Sequence, residues 1–292
     1  YLNLDSSFNI DPEWKSDDNR RFEHEVATMG CRTRVYENIN GPKTSIRRGN
    51  LSFTTINLVK LALESKDPME FDGKVRKYID LVARQLKERY DFQKTALKKQ
   101  FPLLMSGMWN GSEELDFNDT VESVISQGTL GIGFIGLAEA LIALTGKHHG
   151  EDESAQKIGL WVIKNMYRIV SKIKKETGLN YAVLATPAEG LSGKFTLKDR
   201  KQFGVIPGVT DKDYYTNSNH VPVYYHCTPS HKAKIEGPYH KFTTGGHIFY
   251  VECDSDITKN PEVVDSIVRI GMKNDCGYIS INHSQARCPK CN

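Results

Sequence analysis

The stretch Leu51-Ser52-Phe53-Thr54-Thr55-Ile56-Asn57-Leu58 decides the fold class. It is rich in β-branched and aromatic residues and partly alternates, so it predicts a short strand that enters a helix at Val59–Glu64. A buried strand is also predicted at Asn180–Ala185. Amphipathic helices are predicted from Lys74 to Gln100 and from about Ser154 to Lys175, where apolar residues recur at helical spacing. Strands that alternate with helices indicate an α/β protein.

The remaining segments extend this pattern. Gly128–Glu139 is expected to be a glycine-studded turn that feeds an apolar helix, and Thr186 and Pro187 to cap and start another helix. Lys172, Lys174 and Lys175 are interpreted as a solvated helix face. Three further strands and one helix are predicted, at Val221–Tyr225, His247–Cys253, Gly277–Ile281 and Pro261–Lys273 respectively.

Length and composition describe a globular protein. The chain has 292 residues, 39% of them hydrophobic and 26% charged, with a net charge of +3. It is long enough for one large or two ordinary domains, and one domain is the simpler interpretation. We expect neither direct nucleic-acid binding nor membrane insertion, because the charge is small and no apolar run is long enough to span a bilayer. Six unevenly spaced cysteines favour a reducing compartment, so a cytoplasmic protein is expected.

The two chain ends indicate a piece of a longer protein. The sequence begins at Tyr1 and stops at Cys288-Pro289-Lys290-Cys291-Asn292. A Cys-x-x-Cys pair is half of a typical four-cysteine zinc site, so Cys288 and Cys291 are candidate zinc ligands. The alternative is a redox pair, which usually sits between a strand and a helix.

Cys31 is the most distinctive single residue. It follows Gly30, it precedes Arg32 and Arg34, and it lies in a polar, loop-rich region. Nearby arginines favour a thiolate, and glycine permits a tight turn. An ordinary free cysteine that behaves as a small hydrophobe is the competing interpretation.

Six segments occur in the order found in one enzyme family, so the sequence resembles the anaerobic (class III) ribonucleoside-triphosphate reductases over essentially its whole length. The segments are Met29-Gly30-Cys31-Arg32-Thr33-Arg34-Val35, Arg48-Gly49-Asn50-Leu51-Ser52-Phe53-Thr54-Thr55-Ile56-Asn57-Leu58, Ala185-Thr186-Pro187-Ala188-Glu189-Gly190, His220-Val221-Pro222-Val223, Tyr239-His240-Lys241 and Ser280-Ile281-Asn282-His283.

The resemblance implies a fold and a chemistry. The expected fold is a ten-stranded α/β barrel of the ribonucleotide reductase and glycyl radical enzyme type, incomplete at both ends, with a central finger loop. Residues 1–283 would form part of the barrel, with the finger loop around residues 26–50, and residues 284–292 would start a truncated zinc-binding segment. Cys31 would form the thiyl radical that abstracts the ribose 3′ hydrogen. In this family the radical glycine follows the zinc-binding cysteines. Gly277 precedes Cys288 and Cys291, so the radical glycine would lie outside this chain.

The same resemblance assigns further site residues. Asn50 matches an active-site asparagine of the subgroup that uses formate as reductant, with an Asx turn or a helix cap as the alternative. The substrate phosphates would lie at Thr186, Pro187, Ala188, Glu189, Gly190, Leu191 and Ser192. Independently of the family, a strand that delivers small residues to a helix amino terminus presents free N–H groups to an anion. A plain capped helix is the other interpretation of this segment.

Cofactors and partners follow from the resemblance as well. They are structural zinc, a glycyl radical, formate, ATP or deoxynucleotide effectors bound in a preceding region, a ribonucleoside triphosphate substrate, a radical-SAM iron–sulfur activating enzyme and a second copy in a homodimer. One competing function is that of a formate-lyase-type radical enzyme, although such acyltransferases carry two adjacent cysteines where this chain has Cys31 alone. A non-catalytic, zinc-dependent binding module is the other, and it predicts that Cys31 can be replaced freely.

Overall fold

The computed structural model describes residues 1–9, 25–253 and 256–283. Cys288 and Cys291 lie outside the described residues, so their predicted zinc site stays a prediction. The strands are β1 (Leu2–Asn3), β2 (Thr28–Met29), β3 (Thr33–Arg34), β4 (Asn50–Asn57), β5 (Thr129–Ile135), β6 (Asn180–Ala185), β7 (Phe249–Cys253) and β8 (Tyr278–His283). The helices are α1 (Leu58–Leu63), α2 (Pro68–Gln93), α3 (Glu122–Ile125), α4 (Leu137–Thr145), α5 (Glu153–Thr177), α6 (Glu189–Phe203), α7 (Pro229–His240) and α8 (Pro261–Lys273).

A three-stranded parallel sheet with the order β4-β5-β6 lies at the centre of the fold. Asn50 at the start of β4 pairs with Thr129 at the start of β5, which pairs in turn with Asn180 at the start of β6. Every residue of β5 is buried. Most of the glycine-studded turn predicted within Gly128–Glu139 is therefore a strand, and the apolar helix predicted after it is α4. The glycines of β5 allow close packing, because a Cβ at Gly131 would come within 2.8 Å of the Phe53 Cβ.

A second small sheet has the order β1-β8-β7, and Gly246 connects it to the central sheet. Gly246 forms a parallel bridge to Leu184 of β6 and an antiparallel bridge to Thr33 of β3. The segment that leads into β7 thus runs parallel to β6, and β7 is parallel to β8. The α/β class is confirmed. The described residues form small sheets, and a closed ten-stranded barrel is not observed among them.

The helices follow local signals at their ends. Helix α2 begins at Pro68, six residues earlier than predicted, because the Asp67 side chain accepts hydrogen bonds from the N–H groups of Met69 and Glu70. Asp152 caps α5 in the same way, and Gly178 ends it with a left-handed backbone at φ +68°. The apolar faces of α2 and α5 pack with the central sheet into the main hydrophobic core.

Several smaller predictions are corrected by the structure. Val221–Tyr225 is not a strand, because the Val221 N–H bonds to the buried Glu236 side chain instead of a neighbouring strand. Thr186 does not cap a helix, since α6 begins three residues later without a side-chain cap. Helix α7 was not predicted, although Thr228 caps it and Pro229 stands at its first position. The predicted helix at Pro261–Lys273 is confirmed.

Within the residues that the structure covers, we find no helix long and apolar enough to cross a membrane.

Candidate active site

Cys31 lies at the tip of a short hairpin formed by β2 and β3. Thr28 pairs with Arg34 and Met29 pairs with Thr33, which leaves Gly30, Cys31 and Arg32 in the turn. Gly30 has φ +58°, a backbone conformation that favours glycine. The Cys31 side chain is exposed. The described residues alone therefore do not enclose the thiol.

The two arginines beside Cys31 are buried and hydrogen-bond to other residues. Arg32 Nη1 donates to Ser218 Oγ at 3.1 Å and contacts His220 Nε2 at 3.2 Å. Arg34 Nη1 donates to both carboxylate oxygens of Glu37, at 2.8 and 2.9 Å. The guanidinium groups thus anchor the hairpin to the rest of the fold, a role that composition alone did not indicate.

A buried ion-pair network fixes the orientation of His220. Glu236 is fully buried, with Oε2 3.1 Å from His220 Nδ1 and Oε1 2.8 Å from Lys232 Nζ. Since an arginine N–H can only donate, His220 Nε2 accepts from Arg32 and Nδ1 carries the proton that is donated to Glu236. Burial raises the pKa of Glu236, but Lys232 and His220 outweigh that effect and lower it to about 2. The carboxylate is therefore ionised and holds one tautomer of His220.

The segment Thr216–His220 connects the cysteine hairpin to the start of α6. Ser218 accepts the hydrogen bond from Arg32, and the neighbouring Asn217 Oδ1 accepts one from the Ala188 N–H at 3.2 Å. Ser218 has a left-handed backbone with φ +48°, which is uncommon for a residue other than glycine. Two adjacent residues thus hold the hairpin and the helix start.

Glu139 anchors the other end of this segment. Its Oε1 accepts hydrogen bonds from the Thr216 N–H at 2.8 Å and from Thr216 Oγ1 at 2.6 Å. Its Oε2 is buried and has no hydrogen-bond partner within the described part of the chain. Burial raises the pKa of this carboxyl, more than its hydrogen bonds with Thr216 lower it. Sequence reasoning missed Glu139, Asn217, Ser218 and Glu236, because their roles depend on contacts between distant segments.

The predicted phosphate segment lies at the carboxyl end of β6. Thr186 is buried, and its Oγ1 accepts a hydrogen bond from Thr55 Oγ1 at 3.1 Å. The backbone N–H groups of Glu189, Gly190 and Leu191 have no acceptor among the described residues. The Glu189 side chain is exposed, and a Cβ at Gly190 would meet nothing within 4 Å. The first turn of α6 therefore offers unpaired donors to an anion from solvent.

Asn50 lies at the opposite end of the central sheet. Its Oδ1 accepts a hydrogen bond from Thr129 Oγ1 at 3.1 Å. Asn50 belongs to β4, so the helix-cap interpretation is wrong. Gly246 pairs with both Thr33 and Leu184, so Thr33 lies at the height of Leu184 along β6. Thr129 pairs with both Asn50 and Asn180, so Asn50 lies at the height of Asn180, four residues earlier in β6. That spacing corresponds to about 13 Å along the strand. The structure therefore brings the Cys31 hairpin near the phosphate segment but not near Asn50.

No metal centre is found in the described ranges, where His, Cys, Asp and Glu form no group of three that could hold an ion. The buried histidines are used structurally. His149 Nε2 lies 2.9 Å from the Asn219 carbonyl oxygen, and His240 stacks on His247 with ring centroids 4.3 Å apart.

These features define an α/β protein with a cysteine hairpin and a helix amino terminus at the carboxyl edge of a parallel sheet, where such folds bind ligands. The chain belongs to the anaerobic ribonucleoside-triphosphate reductase family, whose sequence profile matches residues 5–292. The name of this family is that of an oxidoreductase.

Individual relatives agree with this assignment. The chain is 34% identical to the anaerobic ribonucleoside-triphosphate reductase of Escherichia coli, over 77% of this chain and 32% of that protein. It is 29% identical to the enzyme of the same name from bacteriophage T4, over 91% of this chain and 43% of that protein. The chain thus spans 32% of the length of the first relative and 43% of the length of the second.

Solved structures share the fold. An anaerobic ribonucleotide reductase superposes with a TM-score of 0.64 at 18% identity, over 89% of this chain and 40% of that one. The Thermotoga maritima anaerobic ribonucleotide reductase in complex with dATP and CTP has a TM-score of 0.62 at 19% identity, over 85% of this chain and 39% of that one.

Proposed function

We propose that the protein containing this chain reduces ribonucleoside triphosphates to deoxyribonucleoside triphosphates, and that Cys31 is the residue that attacks the ribose. In its thiyl form, Cys31 Sγ would take the 3′ hydrogen, so that an S–H bond forms and a C–H bond breaks. The 2′ hydroxyl would then leave as water. Formate is the proposed reductant, since its oxidation to carbon dioxide supplies the two electrons that replace C–O with C–H.

The observation that best supports this proposal is that the segment Thr216–His220 contacts both the cysteine hairpin and the start of α6. Through Ser218 it holds Arg32, next to Cys31, and through Asn217 it holds the Ala188 N–H at the start of α6. A reaction on the ribose of a triphosphate needs a reactive thiol and a phosphate site at a fixed separation. One short segment that holds both elements supports this assignment of roles.

The phosphate site of the proposal is the segment from Thr186 to Ser192. Its unpaired N–H groups and the positive end of the α6 dipole suit a triphosphate. The Glu189 carboxylate would repel a triphosphate at close range, but its exposed side chain can turn away from the substrate into solvent.

The remaining parts of the proposal rest on the family. They are a glycyl radical from a glycine outside this chain, an activating iron–sulfur enzyme, structural zinc that involves Cys288 and Cys291, nucleotide effectors and a homodimer. Asn50 as a formate-binding residue also remains a proposal, and its place at the far end of the sheet gives it no support.

Replacement of Cys31 tests the reaction. We expect Cys31→Ser in the activated protein to abolish anaerobic deoxynucleotide formation while the melting temperature stays unchanged, because the side chain is exposed. Cys227→Ser is the control, since Cys227 is a partly buried free thiol and has no proposed role. Turnover by Cys31→Ser at the wild-type level would refute the proposal and favour a binding module.

A further inference from the structure

A polar cavity lies at the amino ends of the central strands, at the opposite end of the sheet from the phosphate segment. Its volume is about 80 Å³, and its polar lining comes from Arg34, Glu37, Thr129, Ser171, Lys174 and Asn180. This space holds several waters or one small ion but no nucleotide.

Positive charge is in excess around this cavity. Arg34 and Lys174 line it, Arg48 is buried beside it, and Glu37 is the only carboxylate in its described lining. Burial lowers the pKa of Arg48 to about 10, against the raising effect of Glu37. Burial also lowers the pKa of Lys174. Glu37 opposes this effect, and the two arginines lower the pKa further. Three cations and one carboxylate leave a surplus of positive charge in a partly buried setting, which a further anion would offset.

The two arginines are already committed to protein acceptors. Arg34 bonds to Glu37, Asn9 and backbone carbonyls, and Arg48 donates to the carbonyl oxygens of Tyr36, Thr44, Glu37 and Gln127. Lys174 differs, because no hydrogen bond or ion pair to its Nζ is found within the described ranges. The interpretation of Lys174 as part of a solvated helix face is therefore wrong. Lys174 is half-buried, unlike the exposed Lys172 and Lys175, and its ammonium group lines the cavity without a partner among the described residues.

Helix α5 adds two more unpaired donors on the same face. Tyr167, Ser171 and Lys174 are spaced at i, i+4 and i+7, so they lie above one another on the helix surface, and all three line the cavity. The hydroxyl groups of Tyr167 and Ser171, like Lys174 Nζ, have no hydrogen-bond partner among the described residues. A cluster of an ammonium group and two hydroxyls is suited to oxygen atoms that carry negative charge.

We propose that this cavity binds a small free oxyanion of the phosphate type, held by Lys174 and Ser171 against the positive field of the two arginines. The site is separate from the proposed substrate phosphate segment and does not depend on the reaction. Bound anion would offset the surplus positive charge and tie the carboxyl-terminal part of α5 to the end of β3 at Arg34.

Anion-dependent stability tests this site. In the full protein, inorganic phosphate is titrated at constant ionic strength, and binding is followed by calorimetry and by the melting temperature. We expect phosphate to raise the melting temperature of the wild type, and Lys174→Met to weaken phosphate binding by at least about tenfold, as expected for a lost charged hydrogen bond. Lys175→Met removes the same charge from an exposed position of the same helix and should bind phosphate like the wild type.

A second readout separates a specific site from general screening. Without phosphate, Lys174→Met should be as stable as the wild type or more so, because it removes a half-buried charge that lies close to two arginines. Ser171→Ala should weaken phosphate binding while it leaves the phosphate-free melting temperature unchanged. Equal phosphate responses of wild type and Lys174→Met, or equal effects of phosphate and chloride at matched ionic strength, would overturn the proposal. The proposal would also be overturned if adenosine monophosphate, but not free phosphate, bound in a way that depends on Lys174.

Discussion

Replacement of Glu236 by Gln tests the buried network behind the cysteine hairpin. Glu236 is fully buried and contacts Lys232 at 2.8 Å, His220 at 3.1 Å and the Val221 N–H at 2.9 Å. Removal of one partner from a buried ion pair costs about 3 to 5 kcal/mol. The Lys232 side chain is 19% exposed and can reach water, so we expect the lower end, about 3 kcal/mol of lost unfolding free energy.

The same substitution should also disturb Arg32. With its amide oxygen towards Lys232 and Val221, the Gln side chain would turn its NH₂ group towards His220 Nδ1. His220 would then accept at Nδ1 and carry its proton on Nε2, where it would face a donor N–H of Arg32. Two donors repel, so Arg32 would leave Ser218 and release the hairpin that carries Cys31. We therefore expect a lower kcat with a smaller change in KM.

Urea denaturation and steady-state turnover measure these two effects. The control is Glu122→Gln, which removes an exposed carboxylate that pairs with Lys94 at 3.0 Å and should cost about 0.5 kcal/mol or less. Nitrogen-15 spectra of His220 give the tautomer directly. A Glu236→Gln variant that is no less stable than Glu122→Gln, or that keeps the Nδ1-protonated tautomer, would refute the reasoning.

Four further outcomes follow from individual contacts. The pKa of Glu236 falls from 4.5 to about 2 on folding, so the stability that its carboxylate contributes is complete above pH 4.5 and should be lost as the pH drops towards 2. Melting temperatures measured against pH should show this loss for the wild type and not for Glu236→Gln. Asn217→Ala removes the acceptor of the Ala188 N–H and should raise KM for the triphosphate about fivefold, a loss of about 1 kcal/mol, with a smaller effect on kcat. Glu139→Gln should change the free energy of unfolding little, because an amide oxygen can accept the same two hydrogen bonds from Thr216, whereas Glu139→Ala leaves buried polar groups unpaired and should cost about 2 kcal/mol in denaturant melts. A Cβ at Gly133 would collide with Thr186 Oγ1, so Gly133→Ala should weaken substrate binding as well as stability, and equal KM values would contradict the placement of Thr186 in the site.

Local signals in the sequence predicted much of the secondary structure. The strand Asn180–Ala185 and the helix Pro261–Lys273 have the bounds expected from their apolar patterns and flanking residues. Strand β5 was missed because its glycines are typical of turns, yet here they allow neighbouring strands and side chains to approach closely. Helix α7 was missed because Gly237 and Pro238 weaken its helical pattern, and Thr228 and Pro229 were not recognised as a start signal.

The candidate site was less accessible from the sequence. Cys31 and the segment at Thr186 could be singled out because each has a local pattern with a chemical meaning. The contacts that join them could not be predicted, since Arg32 meets Ser218 across 186 positions of the chain. The lysine at position 174 shows the same limit. A run of basic residues predicts a solvated face, whereas in the structure Lys172 and Lys175 are exposed and Lys174 is half-buried at a cavity that Arg34 and Tyr181 also line.

The hairpin and α6 are joined in two ways, and this has a consequence for catalysis. Thr33 is bridged through Gly246 to β6, which leads into α6, so the sheet fixes the coarse separation of the thiol and the phosphate site. Ser218 and Asn217 add a side-chain link, with attachment points only about 4 Å apart along the backbone. A shift of this segment would therefore disturb Arg32 and the Ala188 N–H together. Substitutions that loosen the anchor at Glu139 should accordingly reduce kcat/KM for all triphosphates by a similar factor, because both contacts serve parts of the substrate that every triphosphate shares.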